Sequence, residues 1–270
     1  EMSRGLGDVY KRQLFLVDGE RLAGETLDNI DYSRLNLDNV ERIEIVKGAA
    51  SSLYGSNAVG GVINIISKEA EEPWTLNLNG RYGSHNDQRY GGTVAFRAGD
   101  FRNSLNVQHT STDPIDVGSV GKDGEENDFS RVYGNRTWNF KERLVYTPTD
   151  KLRLTGRLGY FFRERDKSTS SKDRYRDFSG GLRGNYTFSQ RNGLELSYSF
   201  DQYDKSDFDP VQDYDLRDYT NVQHTLRALY NHSLNERNTL IVGGDFMRDY
   251  LMSYQFTCLL YTSDAADDTP

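Results

Sequence analysis

The stretch Asn39-Val40-Glu41-Arg42-Ile43-Glu44-Ile45-Val46-Lys47-Gly48 decides the fold, together with Leu53-Tyr54-Gly55-Ser56-Asn57-Ala58-Val59-Gly60-Gly61-Val62-Ile63-Asn64-Ile65-Ile66-Ser67-Lys68. Residues 40–46 alternate imperfectly between two faces, which predicts a strand. Residues 49–54 are predicted to form a short helical piece that ends at Gly55, because glycine readily takes the left-handed conformation. An apolar strand is predicted over 59–66, where Gly60 and Gly61 permit close backbone approach.

A short apolar run, Leu14 to Val17, precedes this stretch. The dipeptide Asp18-Gly19 closes the run and suits a turn with positive φ. Residues 26–37 are polar and irregular, which predicts a loop with a helical turn. Residues 14–68 are therefore predicted to be a small unit of strands and short helical pieces, and 69–73 a linker.

After Lys68 the pattern changes to segments in which every second residue is apolar. In the clearest segment, 152–162, Leu154, Leu158 and Tyr160 share one face while Arg153 and Arg157 share the other. This period of two is typical of strands. The same stripes predict about nine strands in all, the others being at 74–82, 90–98, 105–109, 138–146, 178–188, 194–200, 224–234 and 240–246.

The connections between these strands alternate in length. Short ones lie at 99–100, 148–150, 189–192 and 235–238, and long polar ones at 111–131, 164–176 and 203–218, with a short exception at 84–88. Outer-membrane barrels have short periplasmic turns, longer external loops and aromatic residues at both interfaces. Several stripes here begin and end in Tyr, Phe or Trp, so the pattern favours the wall of such a barrel.

Composition alone does not separate a membrane barrel from a soluble β protein. The chain is 36% hydrophobic, with a mean hydropathy of −0.76 and a formal net charge of −8. No apolar run reaches the roughly 18 residues of a membrane helix, yet barrel strands show lipid only every second side chain. A soluble sandwich would alternate too, but its polar stripe would hold fewer Arg, Glu, Asp and Asn residues, and its strands would be shorter.

The motif of 39–68 resembles the end of the plug domain of TonB-dependent outer-membrane transporters. The resemblance covers 14–68 by motif and about 73–254 by strand rhythm. It implies an all-β membrane protein: a partial antiparallel transmembrane β-barrel at 69–257, with about nine of about 22 strands, preceded by the C-terminal part of a small α+β plug domain at 14–68. Ala49 stands where the family often has Pro, which a helix start also accepts.

Both ends of the chain look foreign to this pattern. Residues 1–13 and 258–270 resemble translated sequencing-adapter read-through, and the strand pattern stops abruptly near the second of them. We expect the chain to be an internal piece of a longer protein. The front of the plug, the segment that contacts TonB and the remaining strands would then lie outside it.

The resemblance implies active import of a metal chelate across the outer membrane, energised by the TonB complex. The chelate would be a ferric siderophore, haem or cobalamin, and outer-membrane lipid would surround the wall. A passive porin or adhesin barrel is the alternative, but neither requires a plug. A soluble carbohydrate-binding β domain is a third possibility, in which the apolar stripes would pack internally.

No catalytic or nucleic-acid-binding pattern emerges. Residues 55–60 have phosphate-loop spacing but lack the Lys and Ser or Thr that must follow. The four histidines show no zinc-protease spacing, no nucleophile lies at readable spacing from a base, and the lone Cys258 excludes an internal disulfide framework. The acidic balance argues against nucleic acid. We therefore expect neither an enzyme nor a nucleic-acid partner.

Two sets of plug residues are candidates for function. The resemblance places the segment before residue 40 at the outward-facing plug apex, and the candidate substrate ligands there are Asn29, Asp31, Tyr32 and Arg34. A second set consists of charges on a strand that would lie inside the lumen, where they are predicted to pair with wall residues such as Arg153, Arg157 or Glu195; these are Glu41, Arg42 and Glu44. The alternatives are an ordinary loop and a solvated strand face.

No cofactor is firmly indicated, although the predicted outer loops are acidic. Clustered carboxylates suit calcium, which takes six to eight oxygen ligands in flexible geometry. Cobalamin transporters of the resembled family order their outer loops with calcium, which supports this interpretation. A second acidic stretch lies at 204–218, and solvated loops without metal are the alternative. The candidate calcium ligands are Asp113, Asp116, Asp123 and Asp128.

Overall fold

The computed structural model describes residues 14–22, 31–47, 61–116, 131–168 and 170–254. The predicted helical piece at 49–54 and both foreign-looking ends lie outside these ranges. The described residues form one small sheet and one large sheet, with a two-stranded ribbon in addition. No helix among them is long and apolar enough to cross a membrane.

The small sheet confirms the strands predicted for the plug. Its four strands lie in the order β2-β1-β4-β3, and they are β1 (Leu14–Val17), β2 (Glu20–Arg21), β3 (Val40–Val46) and β4 (Val62–Ser67). Leu14, Leu16 and Val62 form its buried core. Asp18 and Gly19 have φ values of 52° and 79°, as a tight hairpin turn requires.

The large sheet confirms the predicted wall. Within the described residues it has nine strands, each antiparallel to the next. They are β5 (Trp74–Tyr82), β6 (Gln88–Ala98), β7 (Phe101–Thr112), β10 (Asn135–Thr149), β11 (Leu152–Asp166), β12 (Lys172–Ser189), β13 (Asn192–Asp209), β14 (Tyr214–Ser233) and β15 (Thr239–Ser253). The ribbon of β8 (Ile115–Asp116) and β9 (Arg131–Val132) lies in the connection between β7 and β10.

The two faces of this sheet differ as a membrane barrel requires. Outward apolar side chains are exposed, with Leu78 75% and Leu182 68% accessible. Inward positions are polar and buried, among them Thr137 and Asn139. The apolar rows are therefore not sealed in a dry interior, and the soluble carbohydrate-binding alternative is wrong.

Aromatic residues lie on the outward face towards the side of the long connections. The rings of His109 and Trp138 stack at a centroid distance of 4.2 Å. Farther round the wall, the Tyr198 hydroxyl and Nδ1 of His224 are 2.9 Å apart. Amphipathic rings of this kind suit the boundary between lipid and water.

The outer connections predicted at 164–176 and 203–218 are mostly strand, which corrects the sequence-based boundaries. Strands β11 to β14 continue past the lipid-facing segment and leave only 167–171 and 210–213 as connections. Ion pairs across the strands stabilise this extension: Glu164 pairs with Lys172 and Arg174, and Arg176 with Asp215. Strand length consequently rises round the wall, from 9 residues in β5 to 20 in β14.

Candidate functional site: the interface between plug and wall

The small sheet lies against the inward face of the wall, and charged side chains make most of the contacts between them. Near the short turns, five inward arginines of β7, β10, β11 and β12 contact acidic residues of the plug and linker. We call these arginines the basic belt; they are Arg102, Arg143, Arg153, Arg157 and Arg183. Nearer the long connections, a second group of contacts holds the segment 31–38.

Asp18 is the plug residue that links its own sheet to the basic belt. Its carboxylate accepts hydrogen bonds from N and Oγ of Ser67, both at 2.9 Å, which fixes it at the end of β4. The same carboxylate lies 3.7 Å from Arg143 and 3.8 Å from Arg157. The hairpin turn therefore positions a negative charge between two arginines that face each other across β10 and β11.

Two further carboxylates engage the rest of the belt. Glu20, on β2, pairs with Arg157 and lies 3.7 Å from Arg183. Glu69, in the linker after β4, pairs with Arg153 and lies 3.4 Å from Arg102. Ion pairs thus connect both the β1–β2 hairpin and the linker after β4 to the wall.

At the apex of the plug the charges are reversed. Here the plug supplies the cation and the wall supplies the carboxylates. Arg34 ends a single 3-10 turn, Tyr32–Arg34, and its guanidinium pairs with Asp177 on β12 and, at 2.9 Å, with Asp201 on β13. The side chains of all three residues are 5% exposed or less. The guanidinium also lies over the ring of Tyr203, 4.8 Å from its centroid.

Asp31 caps this turn and contacts the wall as well. Its Oδ1 accepts a hydrogen bond from N of Ser33 at 3.0 Å. Its Oδ2 accepts one from Arg163 at 2.5 Å and one from the buried hydroxyl of Tyr203 at 3.2 Å. The apex contacts, which we define as Asp31 and Arg34 with their wall partners, are therefore a closed network.

This geometry differs from the predicted substrate site. Asp31 and Arg34 are buried against the wall, so neither presents a free side chain to the outside in this arrangement. Tyr32 is 59% exposed, with its ring edge-on to Phe15. Asn29 lies outside the described residues. Of the predicted set, Tyr32 alone among the described members is open to solvent, and its contact with a substrate stays a prediction.

Glu41, Arg42 and Glu44, which were predicted to contact the wall, form ion pairs with one another. Arg42 donates to Glu41 at 2.7 Å and to Glu44 at 2.9 Å, and its side chain is 53% exposed. The hydrogen bond to Glu44 raises the pKa of the Arg42 guanidinium. Arg153, Arg157 and Glu195 pair instead with Glu69, Glu20 and Arg183, respectively. Contact between the three β3 residues and the wall stays a prediction.

The acidic partners of the basic belt were missed because Asp18 lies in a turn, Glu20 in a strand of two residues and Glu69 in a linker, where the sequence shows no alternation. The sequence does indicate which residues of the wall face the plug. Arg143, Arg153, Arg157 and Arg183 all occupy the inward parity of their strands, so their alignment follows once the strand register is known. Asp177 and Asp201 share that parity nearer the long connections.

Plug and wall are not in direct contact everywhere between the basic belt and the apex contacts. A cavity of about 100 Å³ lies there, lined by residues of both parts that include Asp18, Asn139, Lys141 and Arg143. Within the described residues, Oδ1 of Asn139 and Nε of Arg143 are buried without a hydrogen-bond partner. A cavity of this size has room for several water molecules, which would satisfy such atoms.

The structure places the predicted calcium ligands only in part. Asp113 follows β7, and its carboxylate accepts a hydrogen bond from Asn86 at 3.3 Å. Asp116 lies in β8, and Asp123 and Asp128 lie outside the described residues. Among the described residues, no group of three or more potential ligands is arranged to hold a metal ion.

Comparison with known proteins agrees with this arrangement. Residues 2–62 match the family model described as the TonB-dependent receptor plug domain. The match begins inside the stretch 1–13, so the domain boundary at residue 14 stays a prediction. The iron-regulated outer membrane virulence protein of Vibrio cholerae is 27% identical over 229 residues, which cover 78% of this chain and 33% of that protein. The chain resembles the plug and part of the wall of a TonB-dependent receptor.

Another relative of this chain is named for the cargo that it transports. The vitamin B12 transporter BtuB of Photobacterium profundum is 34% identical over 94 residues, which cover 35% of this chain and 16% of that protein. These relatives are named as transporters and outer-membrane proteins rather than enzymes.

Solved structures show the same fold for the receptor. The siderophore receptor PirA of Acinetobacter baumannii aligns with a TM-score of 0.70 and 17% identity, covering 89% of this chain and 41% of that one. The ferric enterobactin receptor PfeA of Pseudomonas aeruginosa aligns with a TM-score of 0.68 and 19% identity, covering 89% and 42%. The partial barrel with a plug is therefore confirmed, and the protein belongs in the outer membrane.

The chain spans only part of the length of these proteins. It covers 16% and 33% of the two curated relatives and about two fifths of the two solved structures. The activity of the whole receptor is for this reason a matter of proposal.

Proposed function

We propose that this receptor imports a metal chelate, namely a ferric siderophore, haem or cobalamin, into the periplasm. The observation that supports import is a plug held against the wall of the lumen by ion pairs, with a cavity between plug and wall instead of continuous apolar packing. Polar contacts of this kind exchange readily with water, so a pulling force can remodel them without exposing a hydrophobic core.

The driving force would come from the TonB complex, acting through a receptor segment outside the described residues. An outer membrane has no ATP, and a plug tight enough to prevent leakage also blocks passive flux. A passive porin or adhesin barrel is the less favoured alternative, because neither needs an ion-paired plug. We do not expect catalysis, since the charged groups of the lumen are engaged in pairs between plug and wall.

Uptake by the receptor encoded by the complete gene tests this function. In cells that lack other receptors of this class, we expect accumulation of one labelled chelate among a ferric tris-catecholate, ferric citrate, haemin and cyanocobalamin. A protonophore or loss of TonB should abolish accumulation but leave surface binding intact. Uptake that persists without energy would indicate a passive pore, and absence of uptake for every chelate would contradict the proposal.

We also propose that calcium orders the connection between β7 and β10, which carries Asp113, Asp116, Asp123 and Asp128. Carboxylate oxygens are suitable calcium ligands. Titrating calcium into the receptor should protect this connection from proteolysis, whereas the connection at 210–213 serves as an internal control. Unchanged cleavage of the β7–β10 connection across the titration would remove calcium from the proposal.

A further inference from the structure

The basic belt contains more positive charge than the plug neutralises. Five guanidinium groups share the carboxylates of Asp18, Glu20 and Glu69, and Glu195 on β13 lies 3.7 Å from Arg183. Lys141, on the same face of β10, lines the adjoining cavity as a further cation. Among the described residues, cations outnumber the carboxylates that contact this belt.

The arrangement of the arginines is unfavourable without an anion. Arg143 and Arg157 are directly opposite each other on neighbouring strands, and like charges in that position destabilise a sheet. Asp18 lies within 4 Å of both and offsets their repulsion. If the plug moves relative to the wall, its carboxylates leave and the arginines require another anion.

We propose that the basic belt is a transit site for an anionic chelate, which the plug carboxylates occupy while the lumen is closed. This inference rests on the proposed import function and narrows its substrate class. Guanidinium groups recognise carboxylate and phosphate oxygens in paired geometry and stack on aromatic rings. Ferric complexes of catecholates or carboxylates, and haem through its propionates, fit this chemistry, whereas a cobalamin without net negative charge does not.

The belt is suited to transit rather than to capture. It lies beneath the apex contacts, where Arg34 is held between Asp177 and Asp201. An arriving chelate therefore meets the apex first and reaches the belt only after the plug has rearranged. The plug carboxylates and the chelate would compete for the same arginines, so the site fills as the plug vacates it.

The test compares the two sides of one ion pair in the complete receptor. Arg153→Gln and Glu69→Gln both abolish the ion pair between Arg153 and Glu69. If the belt guides an anion, R153Q lowers the rate of uptake of a ferric tris-catecholate by about tenfold, the loss of roughly one charge-assisted hydrogen bond. E69Q raises that rate, because the belt is then less occupied by the plug.

Surface binding in energy-depleted cells separates transit from capture, and R183Q provides a second belt variant. We expect the affinity of all three variants for the chelate to match the wild type. If R153Q and E69Q change uptake in the same direction, the belt merely anchors the plug and the proposal is overturned. Energy-dependent uptake of cyanocobalamin alone would also overturn it, while leaving import itself intact. Absence of all uptake would contradict the proposed function and this inference together.

Discussion

Arg34→Met is expected to release the apex of the plug from the wall. The substitution keeps an unbranched side chain but removes the guanidinium, the cation that pairs with the buried carboxylates of Asp177 and Asp201. Breaking a buried pair from one side costs about 3–5 kcal/mol. Hydrogen exchange of the complete receptor should show residues 31–38 losing protection, with the strands of the wall unchanged.

Arg42→Met is the matched control, because Arg42 also contacts two carboxylates but is exposed to solvent. Exposed pairs contribute little, so R42M should leave the exchange profile unchanged. Adding Asp177→Asn and Asp201→Asn to R34M removes the buried charges and should restore most of the lost protection. An R34M profile identical to that of the wild type would show that the apex contacts do not hold the plug.

Leu182→Arg is expected to destabilise the folded wall in the membrane. Leu182 is 68% exposed on the outward face of β12, opposite Tyr198 of β13 and Gly156 of β11. An arginine at the middle of the lipid-facing band of a barrel costs about 2–4 kcal/mol. The equilibrium between folded and unfolded receptor in lipid bilayers should therefore fall by a factor of about 30 to 1,000. A urea titration followed by the gel mobility of the unheated barrel measures this change.

Val211→Arg makes the same chemical change outside the membrane. Val211 is 83% exposed, in the connection between β13 and β14. Because water surrounds it, its replacement should not alter the folding equilibrium. Equal effects of V211R and L182R would mean that the outward rows do not face lipid.

The fold was predictable where one face of a strand is apolar and the other polar. The predicted bounds of β3 and β5 coincide with the observed Val40–Val46 and Trp74–Tyr82. Prediction failed at the far ends of β11 to β14, where both faces carry charged residues and the apolar period disappears. Opposite charges paired across the strands, such as Glu164 with Lys172, maintain the sheet there. Those pairs become visible only after the strand register is known.

The site was harder to predict, since its contacts join parts of the chain that are far apart. Asp31 and Arg34 were predicted to be substrate ligands, and a single sequence does not show that their partners in the wall, Arg163 and Asp177, face the same point of the lumen. The charges on β3 offered the clearer pattern, yet they pair within their own strand. Whether a charge binds substrate or the wall is decided by the rotation of the plug, which local patterns do not specify.

Because strand length rises round the wall from β5 to β14, the outer rim formed by the described strands is not level. With the short turns on one side, the step from 9 residues in β5 to 20 in β14 amounts to about 36 Å along the strands, or about 28 Å in height at a tilt of about 40°. The rim is therefore slanted, low beside β5 and β6 and high beside β13 and β14.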